Sequence, residues 1–104
     1  MKKNMRKPRN LDMYKAILTL KTLDECVNFF DDLCSVTELK AMEQRFQVAM
    51  MLNKGMIYND ILRETGASSA TISRVNRSLQ LGADGYEVVF DRLEKLPGED
   101  SEED

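Results

Sequence analysis

Between Thr65 and Leu79 the chain reads TGASSATISRVNRSL, and the residues best suited to chemistry gather there. Ser68, Ser69, Thr71 and Ser73 are hydroxyls in close succession, and Arg74 and Arg77 follow. Serine and threonine hydroxyls exchange hydrogen bonds with several base edges, and an alanine or threonine methyl can touch the thymine methyl. A small, polar first helical turn lets a helix N-terminus approach a phosphate or base edge closely. The chemistry on offer is therefore recognition of DNA.

Catalytic sets are missing from the rest of the chain. It contains no histidine, which excludes His-dependent triads and His-ligated metals. Cys26 and Cys34 lack a CxxC spacing and read as core thiols rather than a zinc or redox site. Asp31-Asp32 sits at a helix end and reads as solvated, and no Gly-rich loop matches a phosphate cradle. No residue set offers a nucleophile with its base, so an enzyme, a metal and a required cofactor are not expected.

The 104 residues suggest one domain. A monomer this small buries only part of its apolar surface, so self-association would add burial. Apolar residues make up 42% and charged residues 32%, an ordinary soluble balance. No apolar run is long enough to span a membrane. The N-terminal MKKNMRKPRN is basic but lacks the apolar stretch of a signal peptide. A reducing, cytoplasmic setting with free thiols is expected. Net charge is −3, with a basic stretch at residues 1–10 and an acidic one at 97–104. Between Tyr58 and Gln80, Arg63, Arg74 and Arg77 outnumber Asp60 and Glu64, a mild positive tilt.

Six short helices are expected to position these residues, giving an all-α fold. Leu11, Tyr14, Ile17 and Leu18, with Met13 beside them, recur at helical steps. Thr22-Leu-Asp-Glu25 and Ser35-Val-Thr-Glu38 are capping boxes opening a second and a third helix. The second carries Cys26, Val27, Phe29, Phe30 and Leu33. The third presents Leu39, Met42, Phe46, Ala49 or Met50, and Leu52. It is rich in Met and Phe, which suits either a core or an interface between chains. Gly55 ends it. A short helix over Met56–Glu64 turns Ile57, Ile61 and Leu62 inward, and Gly66 stops it. Ser68 or Ser69 caps the next helix, which carries Ile72, Val75 and Leu79. Asp84 caps the last, with Val88, Val89, Leu93 and Leu96, and Pro97-Gly98 ends it. Residues 1–10 read as a flexible basic arm, 11–96 as the helical domain, and 97–104 as a disordered acidic tail. The arm suits phosphate contact or solubility alike. The tail suits DNA mimicry or solubility, and deleting residues 98–104 would raise DNA affinity only in the first case.

A helix-turn-helix fits residues 57–79. With Tyr58 as the first of twenty positions, Ile61, Ala67, Ile72 and Val75 take the fourth, tenth, fifteenth and eighteenth. Those places need small or apolar residues because two short helices cross closely around a tight turn. Gly66 is the ninth and permits a left-handed turn. Thr65, the eighth, stands where an aliphatic residue fits better, and Leu62, the fifth, is larger than usual. The spacing alone also admits an ordinary helical hairpin. The DNA-facing set is read as Asn59, Ser68, Ser69, Ala70, Thr71, Ser73, Arg74 and Arg77.

From about Leu33 to Leu93 the chain resembles the Trp repressor superfamily, and within it the YerC/YecD-like branch of Gram-positive bacteria. The resemblance rests on ELKAMEQRFQVAMMLNKGM and LRETGASSATISRVNRSL, with GASSATISR its most specific run. It implies an intertwined all-helical homodimer. Its recognition helices would enter successive major grooves of double-stranded DNA about 34 Å apart. It further implies that Ser69, Ala70, Thr71 and Ser73 lie near bases. Leu62 stands where the family carries a lysine, so that DNA contact is not expected.

The same resemblance raises the question of tryptophan. The repressor stacks the indole between two arginines, which match Arg45 and Arg74 here. The residue after the second arginine is glycine in the repressor and Val75 in this chain. A branched side chain intruding there would cost about 1–3 kcal/mol, or roughly ten- to a hundredfold in affinity. Arg45 and Arg74 then read as salt-bridge or phosphate residues. The expectation is a DNA-binding transcriptional regulator, a repressor, that does not use tryptophan as corepressor; another small effector is left open. The alternative is a helical protein–protein interaction module that has lost DNA binding.

Overall fold

The computed structural model describes residues 9–97. The basic arm up to Pro8 and the acidic tail from Gly98 lie outside the described residues. Six helices and no strand occur among the described residues: α1 Asp12–Ile17, α2 Leu23–Leu33, α3 Val36–Asn53, α4 Tyr58–Thr65, α5 Ser69–Leu81 and α6 Gly85–Glu94. None is long and apolar enough to cross a membrane. The chain divides into two compact units at Glu43–Gln44.

The first unit holds α1, α2 and the start of α3. Its helices begin where the sequence supplies caps. Thr22 Oγ1 accepts from the Glu25 N–H at 3.0 Å, and the Glu25 carboxylate accepts from the Lys21 N–H at 2.8 Å. At α3 the exchange is fully reciprocal: Ser35 Oγ accepts from the Glu38 N–H, and Glu38 accepts from the Ser35 N–H. That donation from the Ser35 backbone, with the Ser35 hydroxyl second, holds the Glu38 carboxyl below the usual glutamate range. Neither α1 nor α2 contains a buried residue. Phe29 and Phe30 meet edge to face at 5.6 Å, half-buried, while Leu11, Leu18, Leu23 and Val27 are exposed. Cys26 and Cys34 are free and half-buried.

The second unit contains the core. Val48 and Ala49 of α3, Ile61 of α4, Ala67 of the turn, and Ile72 and Val75 of α5 form one buried cluster. Full burial of a Val or Ile side chain contributes about 1.5–3 kcal/mol, so these few contacts dominate the unit's cohesion. Phe46 of α3 adds a second layer, 6.4 Å from the ring of Tyr86 and 5.7 Å from that of Phe90, both on α6.

Four local expectations need correction. Val48, which the expected α3 face omits, is fully buried, whereas Met42 is exposed. The helix expected over Met56–Glu64 runs Tyr58–Thr65, because Ile57 is the extended N-cap. Ile57 accordingly is 62% exposed rather than inward. Asp84 sits at the N-cap of α6 in the left-handed region, φ 69°, and its side chain makes no capping bond. Aspartate tolerates that backbone better than most residues, and the Asp84 carbonyl accepts from the Val88 N–H at 3.3 Å. On α6 it is Tyr86 and Phe90 that pack against the core, while Val88, Val89, Leu93 and Leu96 are exposed.

Candidate nucleic-acid interface

The site is built around Gly66. Helix α4 ends there with φ 71°, and the Gly66 N–H closes the last turn onto the Leu62 carbonyl at 3.0 Å. The left-handed backbone redirects the chain, and Ala67 drops into the core at 3% exposure. A larger side chain at Ala67 would separate α4 from α5, which is why the tenth position of the motif must be small.

Thr65, flagged by its type, works through hydrogen bonds. Its Oγ1 donates to the Ile61 carbonyl at 2.7 Å and accepts from the Ala67 N–H at 3.0 Å. One hydroxyl thus bridges the end of α4 and the first residue past the turn. Its carbonyl accepts from Gln44 Nε2 of α3 at 3.1 Å, across 21 positions of sequence. Gln44 was not among the expected site residues. No short-range pattern marks a partner so distant, and only the unsuited type of Thr65 hinted that something replaces an aliphatic contact.

Of the two expected caps, Ser68 is the one that caps α5. Its Oγ accepts from the Thr71 N–H and donates to Thr71 Oγ1, both at 3.1 Å. Ser68 is thereby engaged in holding the helix start, and Thr71 is half-buried with its hydroxyl hydrogen still available to donate. Ser69, Ala70, Ser73, Arg74 and Arg77 are exposed, as is Asn59 in the first turn of α4. Ile72 and Val75 point the other way, at 0% and 3% exposure. The helix therefore separates a polar, cationic face from an apolar one.

Charge at the site is carried by Arg74 and Arg77. Arg63 is paired with Asp60 in the same turn of α4, so its charge is locally offset. Among the described residues Arg77 forms no ion pair, and neither do Arg45 and Arg74. Both are exposed. An open depression in this unit lies over Leu52, Leu79 and Phe90 and is rimmed by Asp84, Glu87, Asp91 and Glu94. Its lining includes none of Arg45, Arg74 and Val75. The acidic rim would repel phosphate, leaving the exposed first turns of α5 and the two arginines as the surface suited to it.

Known proteins share this architecture. The family description for Trp repressor protein matches residues 10–94. The uncharacterised protein YerC of Bacillus subtilis (strain 168) is 49% identical over 89 residues, covering 86% of each chain. A TrpR-like protein from Eubacterium eligens superposes with a TM-score of 0.76 at 54% identity, over 82% of this chain and 88% of that one. A crystal structure described as a candidate Trp repressor from Staphylococcus aureus gives 0.80 at 46% identity, over 92% and 96%.

Proposed function

Because this chain belongs to the Trp repressor family, in its YerC-like branch, we propose that it is a homodimeric transcriptional repressor that reads double-stranded DNA through α4 and α5. The family consists of regulatory DNA-binding proteins rather than enzymes. The observation that carries the reading is the division of α5 into two faces. Ile72 and Val75 anchor it, while Ser69, Ala70, Ser73, Arg74 and Arg77 are exposed beside a helix start. A capped, electropositive helix N-terminus with small side chains favours close approach to phosphate and bases. Ser69, Ala70 and Ser73, with the Thr71 hydroxyl, contact base edges; Arg74, Arg77 and Asn59 contact phosphate.

Dimerisation is supported by the first unit. Its α1 and α2 carry a succession of apolar side chains and bury none of them fully. Helices in that condition gain their stability from a further surface, and a second copy supplies one.

Tryptophan does not suit this chain as corepressor. Val75 is a member of the buried core cluster, and the open depression does not touch Arg45 or Arg74. The arginines that would flank the ring are present, but a core side chain, Val75, stands where the repressor has glycine.

Selection of bound fragments from a random duplex pool tests the reading. A two-fold symmetric consensus is expected, with affinity that falls steeply as salt rises. Absence of any duplex binding would leave the interaction-module alternative in its place.

A further inference from the structure

In most helix-turn-helix units an aliphatic residue at the eighth place plugs the turn into the core. Here that place is Thr65, and three hydrogen bonds converge on it. Two are local. The third, from Gln44 Nε2 to the Thr65 carbonyl, is the one among the described residues that ties the turn to α3 by a polar contact. We infer that Gln44 is a positioning residue for DNA recognition: it latches the turn to α3 and so sets the pose in which α5 meets the groove. The inference rests on the DNA-binding reading above.

The last carbonyls of a helix have no intrahelical partner. The Leu62 carbonyl is satisfied by Gly66, and the Thr65 carbonyl, one residue before the left-handed turn, takes the Gln44 amide. Apolar contacts around Ile61, Ala67 and Ile72 are close but non-directional. They resist separation of α4 from α5 better than they resist a small rotation about the turn. A hydrogen bond to a fixed carbonyl is directional, so it restrains the rotation that packing leaves soft. Gln44 is half-buried, which protects the bond from competition with water. Sub-ångström errors in pose are costly for base contacts and tolerated by phosphate contacts, because only base edges demand paired donors and acceptors.

That asymmetry supplies the test. Gln44→Met keeps the length and helix propensity of the side chain but removes the donor; Gln44→Glu removes it with an even closer shape. Affinity is measured by fluorescence anisotropy for a duplex taken from the selected pool and for a random duplex of equal length, with thermal unfolding recorded alongside. Expected is a loss of about three- to tenfold for the selected duplex, the scale of one hydrogen bond, with random-duplex affinity and salt slope unchanged. A merely structural role would lower both affinities together as the folded fraction falls. Equal affinity of Gln44→Met and the unaltered chain for the selected duplex overturns the positioning role alone. Failure of the unaltered chain to bind any duplex overturns the DNA reading and the positioning role with it. Should Gln44→Met not fold, nuclear magnetic resonance of the unaltered chain decides. The Gln44 side-chain amide protons must exchange slowly and couple to the Thr65 carbonyl; fast exchange without coupling overturns the latch.

Discussion

Arg74 and Val75 are neighbours in sequence and opposites in the fold: Arg74 is exposed on α5, and Val75 is 3% exposed within the core. In the proposed reading Arg74 keeps one wall of the family's ligand site, and Val75 takes the space that glycine leaves in the repressor. Titration calorimetry of the unaltered chain with tryptophan is expected to show no saturable heat. Val75→Gly reopens the space at the loss of core burial, about 1.5–3 kcal/mol, plus about 1 kcal/mol of helix propensity. If that variant folds and still takes up no tryptophan, the steric explanation loses its main support.

Gly66 carries the left-handed turn at φ 71°, and a Cβ built there meets nothing within 4 Å. Gly66→Ala is therefore expected to cost only backbone strain, about 1–2 kcal/mol, read as a lower urea midpoint. Gly66→Asn should recover part of the loss, since asparagine tolerates this region. A larger loss in Gly66→Ala would mean that packing, not conformation, selects the glycine.

The Ser35–Glu38 box makes a prediction in acid. The folded-state carboxyl of Glu38 titrates below its ordinary value, chiefly through the Ser35 N–H. Its stabilisation is thus fully present above the unfolded glutamate value and is lost as pH falls through the lower folded one. Glu38→Gln keeps an acceptor without a titration, so stability plotted against pH should flatten in that window. Ser35→Ala should cost about 1 kcal/mol at neutral pH, seen by thermal unfolding.

Arg74 and Arg77 are the exposed cations of α5, with no ion pair among the described residues. Replacing either with Ala is expected to weaken selected and random duplexes about equally and to reduce the salt slope by about 1. Arg63→Ala, which removes a side chain already paired with Asp60, should change the slope less. An equal effect at Arg63 would redraw the interface toward α4.

A dimer whose second copy covers α1 and α2 must unfold in a concentration-dependent way. The thermal midpoint is expected to rise with protein concentration, and sedimentation to report twice the chain mass. A midpoint independent of concentration, with a monomer in sedimentation, removes the homodimer from the proposal.

Much of this protein was legible before any coordinates. The capping residues Thr22 and Ser35, a cap at Ser68 or Ser69, the left-handed Gly66, and the buried Ile61, Ala67, Ile72 and Val75 all follow from local rules. Such rules act over three or four residues, where backbone geometry and hydrogen-bond reach leave few choices. The start of α4 slipped where Ile57 stayed extended as the N-cap, because helix periodicity does not mark the first residue of a turn.

What tertiary structure alone decided is which side chains meet across long stretches of chain. That Val48 enters the core depends on where α4 and α5 lie against this part of α3, which helical spacing does not specify. The choice of Tyr86 and Phe90 over Val88 and Leu93 depends on the position of Phe46. Above all, the partner of the Thr65 carbonyl, Gln44, lies 21 positions away. Sequence determined that a helix-turn-helix is present and which face of α5 it exposes, because those are properties of neighbours. The fold determined how its turn is held, because a hydrogen bond between distant residues exists only once packing has brought them within reach.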